Sequence, residues 1–197
     1  MAENARSRDL YWVEPKHRGI LPLESVHIPR RLARTIKKAP YEVRCDTAFR
    51  DVMRLCAQPF SNRQDTWINP EILRLYGELH DIGSAHSVEC WSGGKLVGGL
   101  YGVRIGGAFF GESMFHRATD ASKIALMYLV ARLRVGGFQL LDTQFTTDHL
   151  EQFGVIEIAQ EAYKERLMDV LPTQADFYRL SPNVSPEVVL QSVTHRS

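Results

Sequence analysis

The chain lacks any apolar run near the ~20 residues that a membrane-spanning helix needs. Its first residues, MAENARSRD, have no apolar core of the kind an export signal carries. A soluble, cytoplasmic protein is expected. Cysteine is scarce: Cys45, Cys56 and Cys90 are odd in number and have no metal-ligand spacing. That argues against a disulfide framework and fits reduced, buried thiols. Seven histidines, among them His80, His86, His116 and His149, fall into no ligand motif with Cys or Glu, so no metal is expected. Gly111-Glu-Ser-Met114 is not a G-x-S-x-G elbow, and no G-x-x-x-x-G-K-[ST] loop occurs. No internal repeat or low-complexity tract is present.

What the chain does have is 197 residues with 44% hydrophobic and 24% charged side chains, enough for one principal core and a small appendage. The net charge of +1 hides an asymmetry. Residues 1–50 hold 11 Lys/Arg against 6 Asp/Glu, which leaves 13 against 17 for the remainder. Within that basic quarter, Pro29 to Lys38 reads as a short helix with Pro in its first turn and lysines at its end. Arg30, Arg34 and Lys37 or Lys38 then share one face. That face is either a solvated basic surface or a phosphate-binding stripe.

Residues 10–28 are rich in Pro and turn formers, which predicts short strands and corners. Tyr41 to Cys45 is a plausible strand. Asp46 is a candidate N-cap for a helix whose Phe49, Val52, Met53 and Cys56 follow i, i+3, i+4, i+7. Residues 59–66 form a polar loop, and Asn69-Pro70 opens a helix through Leu79 that Gly83 ends. From Ala85 the pattern turns to three antiparallel strands, AHSVECW, KLVGGLYGVRI and AFFGESMF, joined by Gly93-Gly94 and Gly106-Gly107. Gly98, Gly99 and Gly102 lie inside the second, where glycine admits a close neighbour, either another part of the chain or a ligand. Asp120 can cap a broadly apolar helix that stops at Gly136-Gly137. A strand from Phe138 to Phe145, a short helix from Asp148, a strand Val155 to Ile158 and a helix from about Gln160 follow. This order places the chain in the α+β class. Residues 171–197 lose periodicity and read as a lightly packed or mobile tail.

One polar pair interrupts an apolar run. If Leu140-Leu-Asp-Thr-Gln-Phe145 is a strand, its period of two puts Asp142 and Gln144 on one face, where both can address one substrate. Buried polar groups need partners, so the pair is either catalytic or a hydrogen-bonded core pair.

The strand order resembles the acetyltransferase-type fold, whose usual members bind acetyl-CoA at a Gly-rich loop. The equivalent segment here, Phe115 to Lys123, has no glycine, which leaves an acyl-CoA-dependent N-acyltransferase as the second reading. HSVECW, LVGGLYGV, FFGESMF, DASKIAL, LLDTQF and DHLEQFGVIEI, with YWVEP, VHIPRRL and DTWINP upstream, resemble as an ordered set the leucyl/phenylalanyl-tRNA–protein transferase family. The resemblance covers residues 11 to about 168. It implies an acetyltransferase-like (GNAT-type) mixed sheet flanked by helices over 28–170, a small N-terminal unit over 1–27 and a tail over 171–197. The implied reaction moves Leu or Phe, and Met less well, from aminoacyl-tRNA to the N-terminal Arg or Lys of an acceptor protein, marking it for N-degron proteolysis. No cofactor, metal or membrane is implied, and a monomer is expected.

The same resemblance assigns roles. Asp142, Gln144 and Glu112 would be catalytic: Gln144 on the attacking amine, Asp142 orienting Gln144 and drawing off charge, Glu112 orienting the amine or the terminal adenosine. Proton removal by Asp142 itself is the variant reading. Leu100, Phe109 and Met114 would line the aminoacyl pocket, whereas pattern alone reads them as core residues. Trp12 and Trp67 would stack near the tRNA 3′ end, with burial the alternative for Trp67, and Arg30, Arg31, Arg34, Lys37 and Lys38 would hold the tRNA backbone. Family members begin with a further segment ending in a G-x-F-P-M type motif. This chain opens at what looks like that methionine, so either the start codon is assigned too late or the N-terminal unit is truncated, and a tRNA-binding module without catalysis is a third reading.

Overall fold

The computed structural model describes residues 4, 9–58 and 66–194. Its centre is a seven-stranded mixed sheet in the order β2-β3-β4-β5-β6-β1-β7. These strands are β1 (His17–Leu21), β2 (Glu42–Cys45), β3 (Ala85–Ser92), β4 (Lys95–Ile105), β5 (Ala108–His116), β6 (Leu140–Gln144) and β7 (Ile156–Ala159). The β3-β4-β5 meander matches the expected antiparallel strands, with Gly93, Gly94 and Gly106 at positive φ in the turns. Among the described residues only β5 and β6 pair in parallel, because the long α4 (Ala121–Val135) carries the chain between them.

The helices make two layers. α4 lies on one face with α1 (Arg30–Lys37) and α7 (Pro186–Thr194), over a core that includes Leu21, Val88, Leu100, Phe109 and Leu141. The other face carries α2 (Phe49–Cys56) and α3 (Pro70–Asp81) over Tyr101 and Ala85, and α6 (Gln160–Val170) over Ile20, Ala108 and Leu140. α4 is buried nearly all round, which its apolar composition requires. α3 begins as expected, with the Asn69 side chain accepting the Ile72 N–H at 2.8 Å. A short helix, α5 (Asp148–Glu151), links β6 to β7. No helix among the described residues is long and apolar enough to cross a membrane.

Several local expectations change. Asp46 does not cap α2. It sits at φ 59° and accepts from the Ser87 N–H, His86 Nδ1 and the Tyr178 hydroxyl at 2.7, 2.8 and 2.5 Å. Glu89, a fully buried carboxylate on β3, takes the capping place by accepting the Ala48 N–H at 2.8 Å and the Thr47 hydroxyl. Asp120 starts α4 at φ 60° without a side-chain cap and meets Lys123 instead. His17–Leu21, from the expected N-terminal unit, lies inside the sheet between β6 and β7, antiparallel to both. The stretch after 170 is packed rather than loose. Arg132, buried in α4, donates to the carbonyls of Phe177, Leu180 and Ser181, and Phe177 and Val189 join the core. A single buried guanidinium organises three carbonyls there, and such a device leaves no periodic signal in the segment it holds. The polar loop expected at 59–66 lies, except for Thr66, outside the described residues.

The strand glycines face other parts of the chain. A Cβ on Gly98 would lie 2.4 Å from the Ala121 Cβ, and one on Gly102 would lie 2.3 Å from the Phe110 carbonyl oxygen. Close chain packing therefore accounts for both.

Candidate active site

The parallel ladder between β5 and β6 is short. It pairs Ala108 with Leu140, Phe109 with Leu141 and Phe110 with Asp142, then stops, although β5 runs on to His116. The two strands separate, and beside the opening lies a cavity of about 770 Å³. Its walls are largely apolar, with Leu100, Met114, Leu126, Leu129, Leu141 and Leu150 among them, and Glu112, Ser113, Arg117, Thr143 and His149 are among the polar residues that line it. A second cavity of about 550 Å³, ringed by His116, Arg117, Lys123 and His149, shares part of its lining with the first. Desolvation, with Lys123 and His116 nearby and Asp120 opposing, lowers the His149 pKa, which favours its neutral ring.

At the separation stands Gln144, at φ 66°, a left-handed conformation that non-glycine residues rarely adopt. Its backbone N–H donates to Asp142 Oδ1 at 2.6 Å, and its side-chain amide donates to Glu112 Oε2 at 3.0 Å and to the Gly111 carbonyl at 3.3 Å. The amide thus crosses the gap where backbone pairing has ended. A bulge at Gly19 and Ile20 of β1 accommodates the bend: a Cβ on Gly19 would lie 2.7 Å from the Phe145 carbonyl carbon.

The expected common face for Asp142 and Gln144 does not form. Alternation sends Leu141 and Thr143 to the cavity, while Asp142 projects with Leu140 to the opposite face under α6. The left-handed turn at Gln144 breaks the alternation. Asp142 has no exposed surface and both its oxygens are engaged: Arg18 Nε lies at 3.1 and 2.9 Å from Oδ1 and Oδ2, and the Tyr163 hydroxyl donates to Oδ2 at 2.6 Å. Burial and the hydrogen bond to Asp142 raise the Tyr163 pKa, so its hydroxyl keeps its proton. Glu112 is the carboxylate that reaches the cavity. Burial raises its pKa above the ordinary carboxylate value, opposed by hydrogen bonds from Tyr76 and Gln144, with the Asp142 charge adding to the rise. Tyr76 is held protonated by its own burial and by Glu112.

Residues 20–168 match the family model for leucyl/phenylalanyl-tRNA protein transferase. The chain belongs to this family. It is 58% identical over 189 residues to the leucyl/phenylalanyl-tRNA–protein transferase of Paramagnetospirillum magneticum, covering 94% of this chain and 90% of that protein. Over 197 residues it is 55% identical to the Caulobacter vibrioides protein of the same name, and over 202 residues 52% identical to that of Phenylobacterium zucineum. In both comparisons all of this chain and 91% of the relative are covered.

The other residues singled out in the sequence fall in different places. Leu100 and Met114 line the cavity, but Phe109 does not: it is fully buried, stacked with Phe177 and edge-on to Phe138, because odd positions near the start of β5 face the α4 core. Trp12 is fully exposed between exposed Tyr11 and Val13. Trp67 is half-buried against the α2–α3 core. Arg30, Arg31, Arg34, Lys37 and Lys38 are all exposed, while Leu32 and Ile36 anchor α1. Among the described residues no group of three or more His, Cys, Asp or Glu is placed to hold a metal ion. Arg18, Tyr163, Tyr76 and Thr143 were not singled out by sequence reasoning. Tyr163 and Tyr76 carry a usable signal: Tyr163 shares the i, i+4, i+7 face of α6 with Leu167 and Val170, and Tyr76 shares a face of α3 with Ile72, Leu73 and Leu79.

Proposed function

We propose that the cavity beside the β5–β6 separation is where a leucyl or phenylalanyl group, and less well a methionyl group, passes from aminoacyl-tRNA to the N-terminal Arg or Lys of an acceptor protein. The observation that carries this reading is an apolar cavity lined by Glu112, to which the Gln144 amide donates, in a chain of this family. An apolar chamber of this volume suits side chains with an unbranched Cβ and a large apolar tip. Met114, flexible and polarizable, suits a wall that must fit both leucine and phenylalanine. We read the separated parallel pair as the acetyltransferase-type (GNAT-type) arrangement. Charge at Arg117 and Lys123 in the adjoining cavity, with exposed Trp12 and the basic face of α1, suits a nucleic-acid donor.

An aminoacyl ester is already activated, so the transfer needs no further energy source. The acceptor α-amine attacks the ester carbonyl, an N–C bond forms, the bond from carbon to the ribose oxygen breaks, and one proton passes from nitrogen to the departing oxygen. Holding the amine in line with the ester can supply ~7–11 kcal/mol of the barrier. The Gln144 amide oxygen, opposite the NH₂ that donates to Glu112, is a fixed acceptor for the amine N–H, and Glu112 steadies the positive charge that develops on nitrogen. The sequence argument allowed Asp142 to remove the proton itself. Its full complement of donors and lack of exposed surface favour the orienting role.

The reading places the enzyme, as a monomer, in the cytoplasm, and its product in N-degron proteolysis. The test is incubation with labelled Leu-tRNA and a peptide beginning with Arg. Labelled peptide is expected. Salt-sensitive tRNA binding without peptide product would replace the reading with a binding module, and transfer from acyl-CoA would replace it with an N-acyltransferase.

A further inference from the structure

The pair that holds Asp142 is built from two elements on the face of the sheet away from the cavity. Arg18 comes from β1, two residues before Ile20, which pairs with Asp142; Tyr163 comes from α6. The guanidinium spans both carboxylate oxygens, with Nη2 also 2.9 Å from Oδ2, and lies 5.5 Å from the centre of the Tyr163 ring. The remaining bond of Oδ1 is to the Gln144 N–H, the residue in the left-handed conformation. A carboxylate that was free to rotate would let that N–H go, and Gln144 would relax toward an extended conformation in which its amide leaves Glu112.

We propose that Arg18 and Tyr163 are positioning residues for the transfer: clamped on Asp142 across the sheet, they hold Gln144 in its bend and so keep its amide on Glu112 beside the cavity. Neither lines the cavity, and both act through Asp142. The inference rests on the reaction proposed above and adds residues to it. Planar, two-oxygen contact explains why arginine stands at position 18, since a lysine could meet the carboxylate only as a point charge.

The experiment measures kcat and KM for Leu-tRNA and for an Arg-starting peptide in Arg18→Met, Arg18→Lys, Tyr163→Phe and Asp142→Ala, with thermal melting of each to fix the folded fraction. Displacing a reacting group by about 1 Å can cost ~100-fold. Per folded molecule, Arg18→Met should lose ~30–100-fold in kcat and Tyr163→Phe ~10-fold, with both KM values within about threefold of wild type and Arg18→Lys recovering part of the loss. Because the clamp works through Asp142, Arg18→Met added to Asp142→Ala should cost no more than about a further twofold. Tyr163→Phe removes a single hydroxyl and keeps the test open if the arginine variants do not fold. Lower melting points with unchanged kcat per folded molecule would reduce the pair to a structural role, and fully multiplicative losses in the double variant would refute action through Asp142. Absence of transfer by the wild-type chain would strike the proposed function instead, which separates the two failures.

Discussion

Replacing Asp142 by alanine removes one carboxylate and strands three donors. The Arg18 guanidinium loses its partner, and breaking a fully buried ion pair costs ~3–5 kcal/mol. With 21% of its side chain exposed, Arg18 can turn to water, so its share falls toward the lower end. The Gln144 N–H and the Tyr163 hydroxyl lose their acceptor, at ~1–3 kcal/mol for a buried group left unsatisfied. Relaxation of the left-handed turn gives back ~1–3 kcal/mol. The net is a destabilisation of about 3 kcal/mol, and for a chain of this length that lowers the melting midpoint by ~6–12 °C. The rate should fall by at least ~100-fold when assayed well below that midpoint, because the loss arises from geometry and not from unfolding. Asp142→Asn keeps an oxygen for the Gln144 N–H while leaving Arg18 without a counter-charge. Its melting point should fall comparably, yet it should retain more activity than the alanine variant. Calorimetry beside single-turnover transfer from labelled Leu-tRNA measures both. Equal kcat values for the two variants, or a near-wild-type rate for Asp142→Ala, would refute the argument that Asp142 works by holding Gln144.

Three further outcomes are expected. Burial chiefly raises the Glu112 pKa above 4.5, so the folded state holds that proton longer than the unfolded one, and wild-type stability is lost as pH rises from 4.5 through the folded value. Glu112→Gln should therefore melt higher than wild type at pH 7, the difference closing below pH 4.5, while transfer falls; a lower midpoint at pH 7 would contradict the sign. Gly102→Ala places a Cβ 2.3 Å from the Phe110 oxygen and 2.4 Å from a Phe109 ring carbon at a β4–β5 bulge, and should cost ~3 kcal/mol or more, seen as poor soluble yield or a large drop in melting point. Arg30→Glu, Arg34→Glu and Lys37→Glu together should weaken tRNA binding and flatten its dependence on log salt by about one unit per lost phosphate contact, with kcat at saturating tRNA unchanged. An unaltered salt slope would remove α1 from the tRNA surface.

Local patterns carried much of the fold. Alternation between paired glycine turns placed β3, β4 and β5, and the apolar run after Asp120 marked the buried α4. Position 142 was legible as unusual, since a carboxylate in an apolar strand needs partners wherever it points. Where it points was not legible. Period-two alternation assumes that every residue is extended, and Gln144 is not. Phe109 lies in the core, as its pattern alone read, and not in the pocket that the resemblance implied, since an apolar strand residue next to a cavity and one next to the core look identical until the facing layer is known. Glu89 takes the capping place expected of Asp46, because capping by a distant strand residue has no local sequence mark.

By itself the sequence determined most of the elements though not α7, the class, the family through its ordered motifs, and the residues that need an explanation, because turn chemistry, periodicity and the cost of buried charge act over a few neighbouring residues. Only the tertiary structure decided which face each of those residues serves. Arg18 and Asp142 are 124 positions apart, and Gln144 and Glu112 are 32 apart. They meet because β1 inserts beside β6, and because the β5–β6 pair opens after three rungs. Strand order and the point at which a ladder ends are set by the packing of the whole chain, and no local pattern encodes them.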